Sequence, residues 1–234
     1  MNETNKTIGE IVAEDYRTAK VFEDHGIDFC CGGNIALQVI CQEKEIDVAL
    51  LTKELEAIKD EPVERSQDFS AWELAFLADY IVNVHHGYLK ENMDKINGYT
   101  LKIADVHGSN HPEVIEIASI FSKIVTNLKV HLREEEEEFF PALKRVETNK
   151  KTDIKPVAKD IETIEKSLKN LAAEHEEIGD AIHNIRRLAG GYTIPHDVCN
   201  TFTLTYRKLK EFEDDLHKHV HLENNILFPK AERL

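Results

Sequence analysis

Two segments of the chain share an unusual pattern of histidine, glutamate and Phe-Pro. The first, HLREEEEEFFP, spans residues 131–141, and the second, HVHLENNILFP, spans residues 219–229. Each has a histidine, a glutamate four residues later, and a Phe-Pro pair five and six residues after that glutamate. A run of like charges is ordinarily a solvated helix face. A repeated skeleton with a fixed His–Glu spacing needs a different explanation.

Helix geometry predicts where these side chains point. Residues four apart on an α-helix are separated by about 40° around the axis, so they stand on one face. His131 with Glu135, and His219 with Glu223, are therefore each expected to point the same way. Apolar residues at core spacings flank both pairs, which predicts that this direction is inward. Of the five consecutive glutamates only Glu135 continues the apolar stripe, and its neighbours are predicted to face water.

The other two long helical segments each carry a histidine on the apolar face. His85 precedes His131 by 46 residues, and His175 precedes His219 by 44. Such a histidine, taken alone, is more often a hydrogen-bonded core residue than a ligand. The spacing nevertheless repeats a single-histidine helix followed by a His-x-x-x-Glu helix, which indicates an internal duplication. The remaining helical histidines fall on polar faces and are predicted to lie at the surface: His86, His183, His217 and His221.

The inward polar groups predict a metal centre. Four imidazoles and two carboxylates would be costly to bury without compensation, and a pair of metal ions removes that cost. Mixed nitrogen and oxygen ligands suit iron, manganese or zinc, whereas calcium prefers oxygen. We therefore expect two metal ions, with iron favoured, bridged by the two glutamates. The predicted ligands are His85, His131, Glu135, His175, His219 and Glu223.

Composition and periodicity favour an all-α fold. The 234 residues include only six prolines and ten glycines, and 31% of them are charged. Such a composition is typical of helical proteins. Helical periodicity recurs over residues 74–98, 112–147, 155–190 and 196–232. Four long amphipathic segments joined by modest loops predict an antiparallel four-helix bundle.

A polar segment divides the chain into two predicted domains. Residues 61–70 include a proline and lack apolar periodicity, so they are predicted to be a linker. A small helical domain, residues 1–60, precedes the linker, and the bundle, residues 71–234, follows it. Thr7 and Asp47 are the predicted helix caps of the small domain. A unit of about 60 residues is marginally stable alone. It is therefore expected to depend on the bundle or on a second subunit, and the sequence is compatible with a homodimer.

Charge and hydropathy argue against several functions. A formal net charge of -15 does not suit binding to nucleic acid phosphates. No apolar run approaches the roughly 18 residues of a membrane span, and the N-terminus lacks the apolar core of a signal peptide. Four cysteines, two of them adjacent, do not resemble a secreted disulfide framework. We therefore expect a cytoplasmic protein that binds neither nucleic acid nor membrane.

The histidine and glutamate pattern, preceded by DFCCGG at residues 28–33, resembles the iron-sulfur cluster repair di-iron proteins, also called the repair of iron centres family. The resemblance covers nearly the whole chain, and the large domain of that family is hemerythrin-like. It implies that the six predicted ligands hold two non-haem iron ions, bridged by Glu135 and Glu223 and by an oxo group. It also implies that the protein restores iron-sulfur clusters damaged by nitric oxide or peroxide.

Cys30 and Cys31 lie in a turn that two glycines follow. A vicinal disulfide would be strained, so free thiols are predicted, and on chemistry alone the pair could equally pack as small apolar groups. The resemblance implies a part in redox or iron handling. The two thiols are thus candidates for transferring iron or electrons, and not for holding the di-iron centre. Cys41 and Cys199 have no such context and are predicted to be structural.

Two other functions compete with cluster repair. A hemerythrin-like protein that binds or senses dioxygen or nitric oxide would use the same centre. Oxygen carriers of that kind typically have an extra histidine and an asymmetric His/Asp pattern, whereas this chain has His-x-x-x-Glu twice. The alternative of a helical interaction protein without metal would have to account for six inward polar groups and their 88-residue repeat. The sequence leaves open whether repair proceeds by iron donation or by enzymatic reduction of nitric oxide.

Overall fold

The computed structural model of the chain describes residues 6–30, 32–59 and 68–234. These residues form helices joined by turns, and the β-type pairing recorded among them is one isolated bridge between Thr7 and Ala36. The predicted all-α fold is confirmed. No helix in the described ranges combines the length and the apolar character that crossing a bilayer requires.

The described residues group into two compact units. The first runs to Leu77 and includes Lys218–Leu234, and the second is Ala78–His217. Most of the predicted linker, residues 61–67, lies outside the described residues. The sequence-based boundaries at residues 60 and 71 therefore stay predictions.

The first unit is built from short helices whose ends are capped as the sequence predicts. Thr7 and Glu10 form a reciprocal capping box, with Glu10 N–H donating to Thr7 Oγ1 at 3.2 Å and Thr7 N–H donating to Glu10 Oε2 at 2.8 Å. Asp47 Oδ1 accepts the N–H of Ala49 at 2.8 Å. Both predicted caps are confirmed. The helices are α1 (Ile8–Glu14), α2 (Ala19–Asp24), α3 (Leu37–Glu43) and α4 (Val48–Lys59).

Asn225 connects several parts of the first unit. Its Nδ2 donates to the carbonyl of Phe29 at 3.0 Å and lies 3.0 Å from His221 Nδ1. Helix α1 approaches so closely that a Cβ on Gly9 would stand 2.1 Å from Asn225 Oδ1. Gly33 is similarly confined, because its Cβ would meet the carbonyl of Phe29 at 2.5 Å. The two glycines allow Phe29 and Gly33 to lie close to α1 and Asn225.

The second unit contains the bodies of the long helices. Helix α6 packs on α7, and both α7 and α8 pack on α9. The ring of Phe121 on α7 meets the ring of Phe212 on α10 edge to face, with centroids 5.1 Å apart. These contacts form the predicted four-helix bundle. The long helices are α5 (Leu74–Ile81), α6 (Gly87–His107), α7 (Glu113–Glu134), α8 (Phe140–Lys151), α9 (Ala158–Leu188) and α10 (Asn200–His221).

Helix α6 is longer than the sequence predicts. The periodicity suggested an end at Gly98, but the helix continues to His107. A mid-helix glycine costs only about 1 kcal/mol relative to alanine. Beyond it Thr100 and Ile103 are buried, with 0% and 1% exposure. Their packing outweighs the cost of the glycine, which itself is exposed.

Candidate metal centre

Three π-helical segments interrupt the long helices. They span Val82–His86, Glu135–Phe139 and Leu222–Leu227, and each includes at least one predicted ligand. A π-helical turn contains one residue more than an α-helical turn, so it changes which side chains face inward. Such turns are rare and occur frequently at functional sites.

Proline accounts for two of these wide turns. It has no N–H, and its ring collides with the carbonyl four residues earlier, so an α-helical hydrogen bond is lost. In both sequence copies the phenylalanine before the proline donates its N–H five residues back, to the carbonyl of Glu135 or of Glu223. The Phe-Pro pair shared by the two segments thus explains a wide turn that begins at or next to the glutamate.

In the second unit, histidines surround the carboxylate of Glu135. Its Oε2 lies 3.3 Å from His86 Nε2 and 3.4 Å from His131 Nε2. His175 Nε2 lies 3.2 Å from His131 Nε2. None of the four side chains is more than 2% exposed. Two nitrogen ligands of one ion are at most about 4.2 Å apart, twice the metal–nitrogen distance, so neighbouring donors here are close enough to share an ion.

Two carboxylates orient these imidazoles from outside. His131 Nδ1 lies 2.7 Å from Glu174 Oε2, and His86 Nδ1 lies 2.7 Å from Glu136 Oε1. The hydrogen bond from His131 is the main cause that lowers the pKa of Glu174. Lys90 Nζ donates to Glu136 at 2.6 Å. A carboxylate on Nδ1 leaves Nε2 as the metal-binding nitrogen, an arrangement common around bound metals.

The first unit holds the corresponding pair from the second sequence copy. His219 Nε2 lies 3.1 Å from Glu223 Oε2, and both residues are fully buried, with 0% exposure. The predicted alignment of this histidine and glutamate on one inward face agrees with the structure. The same holds for His131 and Glu135 in the second unit.

The structure places His86, one residue after the predicted ligand His85, beside Glu135. His86, which the sequence assigns to the surface, is fully buried beside Glu135. His85 is also buried, but its Nδ1 lies 2.9 Å from Asp215 Oδ1. The π-helical segment that ends at His86 is the cause, because the prediction from helix phase holds only for an uninterrupted α-helix through residues 81–89.

Two further histidines predicted at the surface are buried. His217 is 6% exposed and His221 is 0% exposed. Burial, and after it the charge of Lys218, lowers the pKa of His221 to about 3, so it is neutral at pH 7. Its ring packs against Tyr16, with centroids 5.5 Å apart. The prediction of a surface position is wrong because α10 is buried on more than one side, which the polar neighbours in sequence do not indicate. His183 is half-buried.

The cysteines occupy different environments. Cys30 is 3% exposed, its thiol donates to Asp28 Oδ1 at 3.1 Å, and its carbonyl accepts from Asn224 Nδ2 at 3.4 Å. The prediction for Cys31 concerns a residue outside the described ranges. Cys41 is buried, in agreement with a structural role.

Cys199 is not the structural residue that the sequence predicts. It is exposed, and its Sγ lies 3.1 Å from His107 Nε2. That hydrogen bond, followed by backbone N–H groups at the start of α10, lowers the thiol pKa to about 7. The two residues are 92 positions apart, so no local sequence signal connects them.

A cavity of about 240 Å³ adjoins one of the candidate ligands. His131 and Glu174 line it, together with Thr126, Val130 and Ile178. The volume is sufficient for a diatomic molecule and several waters, whose share of liquid volume is about 30 Å³ each. The arrangement suits access of small molecules to the histidine.

Comparisons with known proteins identify the class of both parts. The model described as the hemerythrin HHE cation binding domain matches residues 77–231. A second model, described as a domain of unknown function (DUF542), matches residues 4–59. The hemerythrin HHE match, residues 77–231, includes all six predicted ligands and His86.

Individual relatives match almost the whole chain. The Iron-sulfur cluster repair protein ScdA of Staphylococcus haemolyticus is 31% identical over 97% of this chain and 98% of the relative. A probable iron-sulfur cluster repair protein of Haemophilus influenzae is 28% identical over 99% of this chain and 98% of its own length. The Iron-sulfur cluster repair protein YtfE of Yersinia pestis is 29% identical over the full chain and 99% of its own.

The chain belongs to the hemerythrin HHE proteins and, within them, to the family that contains these iron-sulfur cluster repair proteins. The resemblance found in the sequence is confirmed.

Proposed function

We propose that this protein restores iron-sulfur clusters damaged by oxidative or nitrosative stress, using a di-iron centre in its hemerythrin HHE domain. The relatives named for this role match it over nearly the full length of both chains. The observation that carries the proposal is the group formed by Glu135, His86, His131 and His175, whose neighbouring donor atoms lie 3.2–3.4 Å apart. Damaged iron-sulfur proteins are accordingly its proposed partners.

The donor set fits two iron ions. Buried imidazoles and carboxylates without metal would be costly, and nitrogen with oxygen donors suits iron. Glu135 and Glu223 are the proposed bridging carboxylates, and His86 takes the role that the sequence assigned to His85. The proposed ligands are therefore His86, His131, Glu135, His175, His219 and Glu223.

The residues around this centre have distinct roles in the proposal. When bound, the iron ions supply redox chemistry and open positions for nitric oxide or dioxygen. Glu174 and Glu136 accept the Nδ1 protons of His131 and His86, which directs both Nε2 atoms toward Glu135. A cavity of about 240 Å³ reaches His131 and Glu174.

The test combines metal analysis with a repair assay. Wild-type protein from iron-replete cells is expected to contain two irons per chain and to reactivate an iron-sulfur enzyme inactivated by nitric oxide. Glu135→Ala should lose iron and repair activity, whereas Glu137→Ala, in the same run but exposed, should retain both. Stoichiometric zinc without iron would contradict the cofactor, and repair by an iron-free Glu135→Ala protein would contradict the function.

We further propose that Cys30 and Cys31 transfer iron or electrons and do not hold the di-iron centre. Thiolates are good transient ligands and redox partners. The Cys30 carbonyl is held by Asn224, the residue after Glu223, which supports a connection between this turn and the ligand-bearing segment. A double Cys→Ser variant should keep the iron spectrum and lose repair. Repair at the wild-type rate would leave the pair with a packing role only.

A second candidate function is binding or sensing of nitric oxide or dioxygen at the same centre. The cavity beside His131 favours it, because a sensor needs access for a small ligand and no protein client. Reversible ligand binding without reactivation of the damaged enzyme would favour sensing. A cytoplasmic location fits either function, since Cys41 and Cys199 are free thiols and cytosolic proteins rarely contain disulfides.

A further inference from the structure

A second group of metal-binding side chains lies within the second unit and shares no residue with the proposed di-iron centre. His183 belongs to α9, while Glu213 and His217 stand one turn apart on α10. One donor atom from each of the three lies within 4.8 Å of the others. The pair on α10 has the same four-residue spacing as the di-iron ligands, in the order Glu-x-x-x-His.

The distances are near those of a mononuclear site. His217 Nε2 lies 3.9 Å from Glu213 Oε1. The imidazole rings of His183 and His217 have centroids 5.6 Å apart and planes inclined by 60°. Two ligands of one ion are at most about 4.2 Å apart. Small side-chain rotations would therefore bring all three donors within bonding distance of a single ion.

Glu213 is the anionic anchor of this group. It is fully buried, with 0% exposure, and the Nε of Arg186 lies 2.9 Å from its Oε1. A carboxylate has two oxygens and about four acceptor positions. Arg186 and a metal ion can therefore bind it together.

His183 provides access to the group. It is half-buried, whereas Glu213 and His217 are buried. An ion could enter and leave past this side chain without opening the helical core. The proposed di-iron ligands, by contrast, are at most 2% exposed.

We propose that His183, Glu213 and His217 bind one divalent transition-metal ion, Zn²⁺ or Fe²⁺, at a site separate from the di-iron centre. Two imidazoles and one carboxylate are the ligands of catalytic zinc sites and of non-haem iron sites with open positions. Three protein ligands leave coordination positions for water or for an exchanging ligand. The site thus suits reversible binding of a single ion.

The experiment uses the full-length, iron-loaded protein under anaerobic conditions. Co²⁺ is titrated as a spectroscopic probe, and bound metal is counted after desalting. We expect one additional ion per chain, with absorption bands of a nitrogen- and oxygen-ligated site. Competition with Zn²⁺ and with Fe²⁺ then identifies the preferred ion. Preference for either ion supports the proposal.

Matched variants test whether Co²⁺ binds at this site or at other histidines. His183→Ala should weaken Co²⁺ binding by at least about tenfold, since removal of even an outer partner costs 10–100-fold, without changing the iron content. His183→Gln, which keeps a polar side chain of similar size, should have the same effect with less risk to folding. His196→Ala removes an exposed loop histidine and should change nothing.

Two outcomes would overturn the proposal. One is equal Co²⁺ affinity in the wild-type protein and in folded His183→Gln. The other is an equal loss of affinity on His196→Ala, which would assign the ion to adventitious surface histidines. In either case the burial of Glu213 is explained by its ion pair with Arg186.

Discussion

Neighbouring glutamates in the run at residues 134–138 have very different environments. Glu135 is fully buried against two histidines, Glu136 is half-buried on His86 Nδ1, and Glu137 is exposed. The sequence separated Glu135 from its neighbours through helix phase. It did not separate Glu136 from Glu137, because the histidine that Glu136 orients is 50 positions away.

Glu136 therefore provides a prediction at the scale of one residue. Glu136→Ala should lower metal affinity by about 10–100-fold, the range for a residue that orients a ligand. Its loss frees the Nδ1 of His86 and the ammonium of Lys90. Glu137→Ala is the matched control and should leave affinity unchanged. Competition with a chromophoric iron chelator measures both variants, and equal affinity in the two would contradict the orienting role.

Cys199 provides a second residue-scale prediction. With a thiol pKa of about 7, its thiolate fraction should rise through pH 7 and approach its limit about one unit higher. The alkylation rate by iodoacetamide, followed by peptide mass spectrometry, should show that midpoint. His107→Ala should move the midpoint upward toward the ordinary value of a cysteine, because the main stabilising hydrogen bond is gone. An unchanged midpoint in this variant would remove His107 as the cause.

At the scale of elements, replacing two helical glycines by alanine is expected to change the free energy of unfolding in opposite directions. Gly9→Ala introduces a Cβ 2.1 Å from Asn225 Oδ1. It should cost about 1–3 kcal/mol by displacing an amide that bonds to buried groups. Gly98→Ala meets nothing within 4 Å on an exposed helix position, and should stabilise by about 0.5–1 kcal/mol. Chemical denaturation measures both changes, and a loss of stability in Gly98→Ala would contradict the helix argument.

The π-helical segment Val82–His86 explains why His86, which the sequence predicts at the surface, is buried beside Glu135. A Phe-Pro pair follows the π-helical segments at Glu135 and at Glu223, so these two segments could be predicted from the sequence. The segment Val82–His86 has no proline, and its phase change became visible only in the folded helix. One inserted residue was sufficient to exchange a candidate ligand for its neighbour.

At the scale of the whole molecule, metal content and stability should be coupled. Removing one partner from a buried ionic group costs about 3–5 kcal/mol. At about 2–4 °C per kcal/mol for a chain of this size, chelation should lower the Tm by about 6–20 °C. Scanning calorimetry of iron-loaded, chelated and reconstituted protein measures this. An identical Tm in the loaded and chelated forms would mean that the buried imidazoles and carboxylates stabilise one another without metal.

The helical class, the two His-x-x-x-Glu pairs and the capped ends of the small helices could be predicted from the sequence alone. These features depend on contacts within four residues, which composition and periodicity record directly. Tertiary structure decided that His86 stands beside Glu135, that Glu174 orients His131, and that His107 activates Cys199. Each of these joins residues at least 43 positions apart. Such pairings depend on helix packing and on one-residue changes of phase, and these are fixed only when the core closes.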